Sequence, residues 1–168
     1  MNETYLAVAG RIRRELQELT QVVARIEHIW QQAALSTDDY HVDAVALNLH
    51  GFYAGLERIF ELIANRVDRA TPDGANWHQE LLHQMSADIP STRPAVMSPE
   101  LRNQLDKFRG FRHVVRNVYT FQLDAHQIEA LVKQLPPTME QVSRELLPFA
   151  DFLQQVGSGS KPRNRIRC

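Results

Sequence analysis

The chain has 168 residues, with 19 Lys and Arg against 20 Asp and Glu, a formal net charge of -1. Apolar residues make up 43% of it, near the average for globular domains, which argues against a wholly disordered chain. The near-zero charge excludes binding of nucleic acid through bulk positive charge, so any basic site must come from local clustering. The single cysteine, Cys168, excludes a disulfide framework and a cysteine-based zinc site.

The sequence also lacks the apolar segments of secreted and membrane proteins. It starts with MNETYLAVAG, which has no apolar run behind a basic start, so we expect no signal peptide. No stretch approaches the ~18 apolar residues of a membrane span. We therefore expect a cytoplasmic protein that does not contact a membrane.

Two long helices are predicted in the first part of the chain, because apolar residues recur there in steps of three and four. The first apolar seam comprises Ile12, Leu16, Leu19, Val23, Ile26, Trp30 and Ala33. The second comprises Val45, Leu49, Phe52, Leu56, Ile59, Ile63 and Val67. Residues 36–39, Ser-Thr-Asp-Asp, predict a turn and an N-cap between them. Helices joined by so short a turn are expected to pack antiparallel.

Turn-forming residues divide the middle of the chain. Residues 71–74, Thr-Pro-Asp-Gly, predict the end of the second helix. A short helix is predicted over residues 77–85, followed by an irregular loop that contains two prolines. Ser98 and Pro99 then predict the N-cap and first position of a helix that runs to about Asp124.

The last helical region is predicted to begin near Ala125. It contains Pro136, Pro137 and Pro148. Because proline removes a backbone donor and clashes with the preceding turn, we expect these residues to break or kink the helix into two or three pieces.

These elements predict an all-α fold, an antiparallel four- or five-helix bundle with a kinked C-terminal helix. The helical domain is expected to cover residues 1–156. Residues 157–168, GSGSKPRNRIRC, are basic and low in apolar content, which predicts a disordered tail. The tail could add non-specific affinity for RNA, but a solvated terminus is the favoured interpretation.

Four arginines and a histidine form a local positive field in residues 101–124, LRNQLDKFRGFRHVVRNVYTFQLD. At about 100° per residue, one side of this predicted helix is apolar; it comprises Phe111, Val114, Val115, Val118 and Phe121. The arginines share another side, with His113 beside them and Tyr119 one turn beyond; they are Arg102, Arg109, Arg112 and Arg116. Guanidinium groups bind phosphate bidentately and tyrosine can stack on a base, so RNA or a nucleotide is the expected ligand. The alternative is a solvated face, or arginines paired with carboxylates of adjacent helices.

Other polar residues give weaker signals. His78 and His83 are five residues apart, whereas a two-histidine metal site on a helix needs a spacing of four, so packing or surface roles are expected. Neither a metal site nor a cofactor is predicted. Glu57 could pair with an arginine of the later helix and orient it, or form an ordinary ion pair. Asn48 and Tyr53 are expected to be buried and hydrogen-bonded.

The stretch RHVVRNVY, from Arg112 to Tyr119, resembles the R-x4-H-x-Y motif of HepT-like toxins, a branch of the HEPN superfamily. Arg112 and Tyr119 stand where the motif has Arg and Tyr, and the polar His113 follows the arginine. Asn117 replaces the motif's histidine. The segments LNLHGFYAGLERIFELIANRVD, PDGANWHQELLHQM and RPAVMSPELRNQLDKFRGFRH also resemble HepT-like proteins in order and spacing. The resemblance covers roughly residues 5–150.

The resemblance implies a four-helix core, a homodimer, and metal-independent endoribonuclease activity at the dimer cleft. Such proteins are toxins of HepT/MntA-type toxin–antitoxin systems. Their antitoxin is an MNT-type nucleotidyltransferase, which neutralises the toxin by AMPylation of the motif tyrosine. Carried over to this chain, Arg112 would stabilise the scissile phosphate and Tyr119 would accept AMP.

The remaining charged residues of this helix extend the predicted site. His113 and Arg116 are further catalytic candidates within the motif, while Arg109 and Arg102 are candidates for binding RNA phosphates. Positions 112 and 117 point about 140° apart on a helix, so a symmetric cleft between two copies is needed to bring both to one phosphate.

Asn117 is the departure from the motif. Metal-free RNA cleavage needs a base for the 2′-OH proton and an acid for the leaving oxygen, and an amide has no proton that titrates near neutrality. Three interpretations follow. The chain is a catalytically silent HEPN dimer that binds nucleotide, RNA or a protein partner; or another histidine, with His113 the nearest, moves the proton; or Arg112 and Arg116 act by electrostatic stabilisation.

Overall fold

The computed structural model describes residues 1–159, which form five α-helices. They are α1 (Glu3–Ala33), α2 (Tyr40–Ile63), α3 (Trp77–Met85), α4 (Pro99–Asn117) and α5 (Ala125–Gly157). A π-helical turn, Ala64–Asp68, continues α2, and a 3₁₀ turn, Thr120–Gln122, lies between α4 and α5. The described residues include no strand beyond an isolated bridge. The predicted all-α bundle is confirmed.

Ion pairs between the long helices define their directions. Arg58 of α2 donates to Glu15 of α1 at 2.6 Å, and Arg13 of α1 donates to Asp151 of α5 at 2.7 Å. Residues of the first half of α1 thus meet residues late in α2 and α5. α1 is therefore antiparallel to both helices.

The core of the bundle is built from the two predicted seams. The second seam is buried along its whole length, from Val45 to Val67. The first is buried from Ile12 to Ile26, whereas Trp30 and Ala33 are half-buried. Burial of these stripes removes apolar surface from water at about 25 cal/mol per Å², which stabilises the bundle.

α4 begins where the sequence predicted. The Ser98 hydroxyl accepts a hydrogen bond from the backbone N–H of Leu101 at 3.1 Å, and Pro99 occupies the first helical position. Ser98 also donates to Glu145 of α5 at 2.8 Å. This contact joins the start of α4 to the second half of α5, so the two helices are antiparallel.

The predicted end of α4 near Asp124 was wrong, because the helix ends at Asn117 and Val118 is extended, with φ −126° and ψ 155°. Residues 118–121 are Val-Tyr-Thr-Phe, all of low helix propensity, and they do not continue the helix. Asp124 instead caps α5 by accepting from the His126 N–H at 2.9 Å. Phe121, predicted on the apolar side of the helix, is 80% exposed.

The predicted division of the last helical region into pieces was also wrong, since α5 is one helix of 33 residues. Its three prolines, Pro136, Pro137 and Pro148, all lie on the exposed side of the helix. Of the carbonyls that lose a backbone donor, those of Lys133 and Arg144 belong to exposed residues, where water can replace the donor. The buried side packs against α1 and keeps the helix continuous.

A buried ion pair holds α3 against the rest of the bundle. Arg93, in the loop before α4, donates to both carboxylate oxygens of Asp68 at 2.6 and 2.7 Å, and both side chains are fully buried. Gln84 of α3 donates to the same carboxylate at 2.7 Å. These contacts fix the position of α3 relative to the end of α2.

The predicted tail, residues 157–168, lies mostly outside the described residues. Its first member, Gly157, is the last residue of α5, and its carbonyl accepts from the Asn2 N–H at 2.7 Å. Among the helices of residues 1–159, none combines the length and apolar content needed to span a membrane.

Candidate functional site

A polar cavity of about 320 Å³ lies beside the second half of α4. Five of its lining residues come from α4 and one comes from α3; they are Arg109, Arg112, His113, Arg116, Asn117 and His78. None of the described residues that line it is acidic. The structure thus brings five of the seven predicted site residues to one concave surface.

The guanidinium of Arg112 forms an ion pair with the buried carboxylate of Glu57. Its NH1 group donates to Oε1 of Glu57 on α2 at 2.6 Å, and the Glu57 side chain is only 4% exposed. Of the two interpretations of Glu57, the structure supports the one in which it orients an arginine of the later helix. The Nε of Arg112 is buried and has no partner among the described residues.

His78 is the member of the site that the sequence did not reveal. Its Nδ1 lies 2.5 Å from Oε2 of Glu57 and 3.2 Å from NH1 of Arg112, and the ring stacks on Trp77. The sequence signal of His78 was its spacing from His83, which argued against a metal pair. That spacing could not report a contact with residues 21 and 34 positions away.

The other arginines of α4 differ in their surroundings. Arg109 donates to Asp106, one turn earlier, at 2.7 Å. Arg116 is exposed and forms no ion pair with any residue among positions 1–159. Arg102 donates to the Ser86 hydroxyl at 3.1 Å and is not among the residues that line the cavity.

The field of the site affects two neighbouring groups. Burial lowers the pKa of His50 below its ordinary value of 6.5, and the charges of Arg112 and Arg116 lower it further. Burial raises the pKa of Glu61, and the negative charge of Glu57 adds to that effect. The charges of Arg112 and Arg116 therefore disfavour a further cation at His50, as expected of a surface that attracts anions.

Asn117 ends α4 and turns its amide onto its own helix, since Nδ2 donates to the His113 carbonyl at 2.6 Å. Tyr119 follows in the extended segment. The prediction that it lies on the helix, one turn beyond the arginines, was therefore wrong. Tyr119 is 74% exposed, and its ring lies parallel to that of Phe121 with centroids 5.7 Å apart. The phenol is therefore accessible to a large partner.

The remaining polar candidates are structural. Asn48 is half-buried and donates to the Ala44 carbonyl at 2.8 Å. Tyr53 is buried, and burial together with the charge of Glu57 raises its pKa above the ordinary range, so its hydroxyl stays protonated. In the part of the chain that the structure describes, no three His, Cys, Asp or Glu side chains are grouped as metal ligands.

A larger cavity, about 680 Å³, lies apart from the motif, between α1, α2 and the turn before α3. Arg11, Arg58 and Arg66 line it together with Trp77. Arg58 is already paired with Glu15. The smaller cavity, in contrast, is lined by Arg112, His113, Arg116 and Asn117 of the predicted motif.

Comparison with known proteins identifies the family. No curated protein and no solved structure matches the chain. A family model described as HepT-like protein matches residues 44–153, which include α3, α4 and most of α2 and α5. The match contains every residue of the cavity and its buried carboxylate. The chain therefore belongs to the HepT-like family of the HEPN superfamily.

Proposed function

We propose that this HepT-like protein is the toxin of a toxin–antitoxin system and acts as a metal-independent endoribonuclease. The observation that carries the proposal is the convergence of Arg112, Arg116 and His113 on one cavity without acidic lining residues. Guanidinium groups at such a site bind a phosphodiester and stabilise the charge that develops on it during cleavage.

A homodimer would complete this site. Arg116 and Asn117 lie at the exposed end of α4, and the exposed rings of Tyr119 and Phe121 follow directly. Two copies of this surface across a two-fold axis would enclose a single RNA phosphate between two sets of arginines. Light scattering should then give a mass twice the 19.3 kDa of one chain.

The proposal is tested by RNA degradation in the presence of EDTA. Arg112→Ala should slow cleavage roughly 100- to 1000-fold, as removal of one electrostatic stabiliser does in other enzymes. Arg144→Ala on α5 is the matched control, because it removes an exposed arginine whose ion-pair partner within residues 1–159 is Glu140, one turn away. Cleavage by the Arg112 variant at the wild-type rate would refute the proposal.

We further propose that an MNT-type nucleotidyltransferase neutralises the toxin by transferring AMP to Tyr119. The phenol oxygen would attack the α-phosphate of ATP and form the new P–O bond, while the bond to pyrophosphate breaks and the phenol proton passes to solvent. The exposure of Tyr119 supports this role. The added phosphate would carry a negative charge close in sequence to Arg116 and Asn117, where it would compete with RNA.

Mass spectrometry after coexpression with the nucleotidyltransferase tests this transfer. The peptide that contains Tyr119 should gain the mass of one AMP, and Tyr119→Phe should abolish the gain. Tyr40 is the internal control, since it is 75% exposed but lies outside the motif. An unmodified Tyr119 peptide, or equal modification of Tyr40, would contradict the assignment.

A second candidate function is a catalytically silent dimer that binds nucleotide, RNA or a protein partner. Asn117 favours it, because its amide cannot exchange a proton near neutral pH and is engaged with the His113 carbonyl. The RNA assay separates the two functions. RNA that is bound by the wild-type protein, but not cleaved, would favour the silent dimer.

A further inference from the structure

The proposed ribonuclease has no histidine at the position where its family motif has one. Two histidines nevertheless line the cavity, His78 of α3 and His113 of α4. We propose that His78 is the general base of this protein and that Glu57 positions it. This inference rests on the proposed ribonuclease function.

The backbone of His78 is held in place by the packing of α3. Leu81, Leu82 and Met85 of this helix are buried in the core. Gln84, at its other end, donates to the carboxylate of the buried Asp68–Arg93 pair. The side chain of His78 is 26% exposed, so it can reach the cavity while the backbone of the residue stays fixed.

Contact with Glu57 determines which ring nitrogen carries the proton. A nitrogen lone pair and a carboxylate oxygen repel each other at 2.5 Å, so Nδ1 of His78 carries a hydrogen and donates it to Oε2 of Glu57. NH1 of Arg112 is a donor as well, and its 3.2 Å approach to the same Nδ1 is therefore not a hydrogen bond. The remaining nitrogen, Nε2, keeps its lone pair and can accept a proton.

Glu57 also supplies the charge that proton transfer needs. Its carboxylate accepts from His78 through one oxygen and from Arg112 through the other. When Nε2 takes a proton, the imidazolium lies beside this carboxylate, which stabilises it. The three arginines that line the same cavity oppose the protonation, and the nearest is Arg112, whose NH1 lies 3.2 Å from Nδ1 of His78. Glu57 is therefore essential to the role of His78.

His113 is less suited to this task. It is exposed, and its ring has no hydrogen-bond partner within the described part of the chain. His50 is half-buried, but it is not among the lining residues of the cavity. A general base needs both access to the substrate and a fixed orientation, and of these three histidines His78 combines them.

The reaction follows from this geometry. Nε2 of His78 takes the proton of a ribose 2′-OH, and the 2′-oxygen forms a bond to the adjacent phosphorus. The bond from phosphorus to the 5′-oxygen breaks, and that oxygen takes a proton from water. The resulting hydroxide removes the proton from His78 and restores it. The products are a 2′,3′-cyclic phosphate and a 5′-hydroxyl, with Arg112 facing the phosphate charge.

The test compares His78→Ala and His78→Gln with His83→Gln in the RNA assay with EDTA. His83 is the matched control, because it is an exposed histidine of the same helix and does not line the cavity. Loss of the base should slow cleavage by about 100-fold or more, whereas His83→Gln should retain the wild-type rate. If the alanine variant does not fold, the glutamine variant is used, since its amide can still donate to Glu57.

Two further measurements separate catalysis from structure. Free imidazole should restore cleavage to the His78→Ala protein but not to Arg112→Ala. The acidic limb of the wild-type pH–rate profile should vanish in His78→Gln, because that variant has no imidazole to act as the base. In Glu57→Gln it should move to lower pH, because the imidazolium has lost its carboxylate.

The outcomes distinguish this inference from the proposed function. Arg112-dependent cleavage that persists at the wild-type rate in His78→Gln would overturn the role of His78 and leave the ribonuclease intact. Products with a 5′-phosphate would also overturn the role of His78 and leave the ribonuclease function intact. A wild-type protein that does not cleave RNA would overturn both proposals.

Discussion

The buried ion pair between Asp68 and Arg93 provides the most direct test of how the site is held together. Asp68→Ala removes the acceptor of two Arg93 donors and of the Gln84 amide. Arg93 would keep its hydrogen bonds to three backbone carbonyls, but no counter-charge would remain for a fully buried guanidinium. Breaking a buried pair in this way costs about 3–5 kcal/mol.

The expected decrease in the free energy of unfolding is large enough to measure by thermal unfolding. For a chain of this length, 1 kcal/mol corresponds to about 2–4 °C in the unfolding midpoint, so Asp68→Ala should lower it by roughly 6–20 °C. Glu140→Ala is the control, because it breaks an exposed pair with Arg144 and should change the midpoint by less than about 2 °C. Circular dichroism at several temperatures gives both values.

The double variant Asp68→Leu, Arg93→Met tests the reasoning itself. Replacing both charges with apolar groups removes the buried, unpaired guanidinium, so stability should recover in large part relative to Asp68→Ala. A loss below about 1 kcal/mol in the single variant, or no recovery in the double variant, would refute the argument from the buried charge. Because the same pair holds α3, Asp68→Ala should also reduce Arg112-dependent cleavage.

Three further predictions concern helix packing, pH and capping. An added Cβ at Gly55 would lie 2.6 Å from Leu19, whereas one at Gly51 meets no atom of residues 1–159 within 4 Å. Gly55→Ala should therefore lower the free energy of unfolding measured in urea, and Gly51→Ala should raise it, by about 1 kcal/mol in each case. Because the pKa of His50 is lowered in the folded state, its contribution to stability is present above its unfolded value of 6.5 and is lost below it. The melting temperature should fall from about pH 7.5 to about pH 5.5, and less so in His50→Gln; equal slopes in the two proteins would contradict this. Ser98→Ala should cost about 1 kcal/mol in urea unfolding, because it removes the N-cap of α4, and an unchanged midpoint would argue against that cap.

Asn117 shows how one substitution can separate membership of a family from the chemistry of that family. The residue keeps its place in the motif and ends α4. Its amide cannot replace the proton transfer of an imidazole. The proposed ribonuclease activity therefore depends on whether another ring in the cavity can take that proton, which the variants of His78 would test.

Local sequence patterns misjudged the second half of the chain in two places. Proline is unfavourable within a helix wherever it occurs in a sequence, yet the packing of α5 against α1 keeps the helix continuous past Pro136, Pro137 and Pro148. At the end of α4, the apolar spacing of Val118 and Phe121 mimicked a helix that their low propensity did not sustain. Periodicity reports which residues would share a face, but not whether a partner surface is present.

The sequence by itself determined the helical class, the two apolar seams, the cap at Ser98 and the arginine motif from Arg112 to Tyr119. All of these depend on residues within a few turns of one another, and such local patterns can be read along the chain. The cluster of Glu57, His78 and Arg112 was decided by the tertiary structure alone. Its members lie on three different helices, and the periodicity within a helix does not specify which side chains of other helices come within hydrogen-bonding distance.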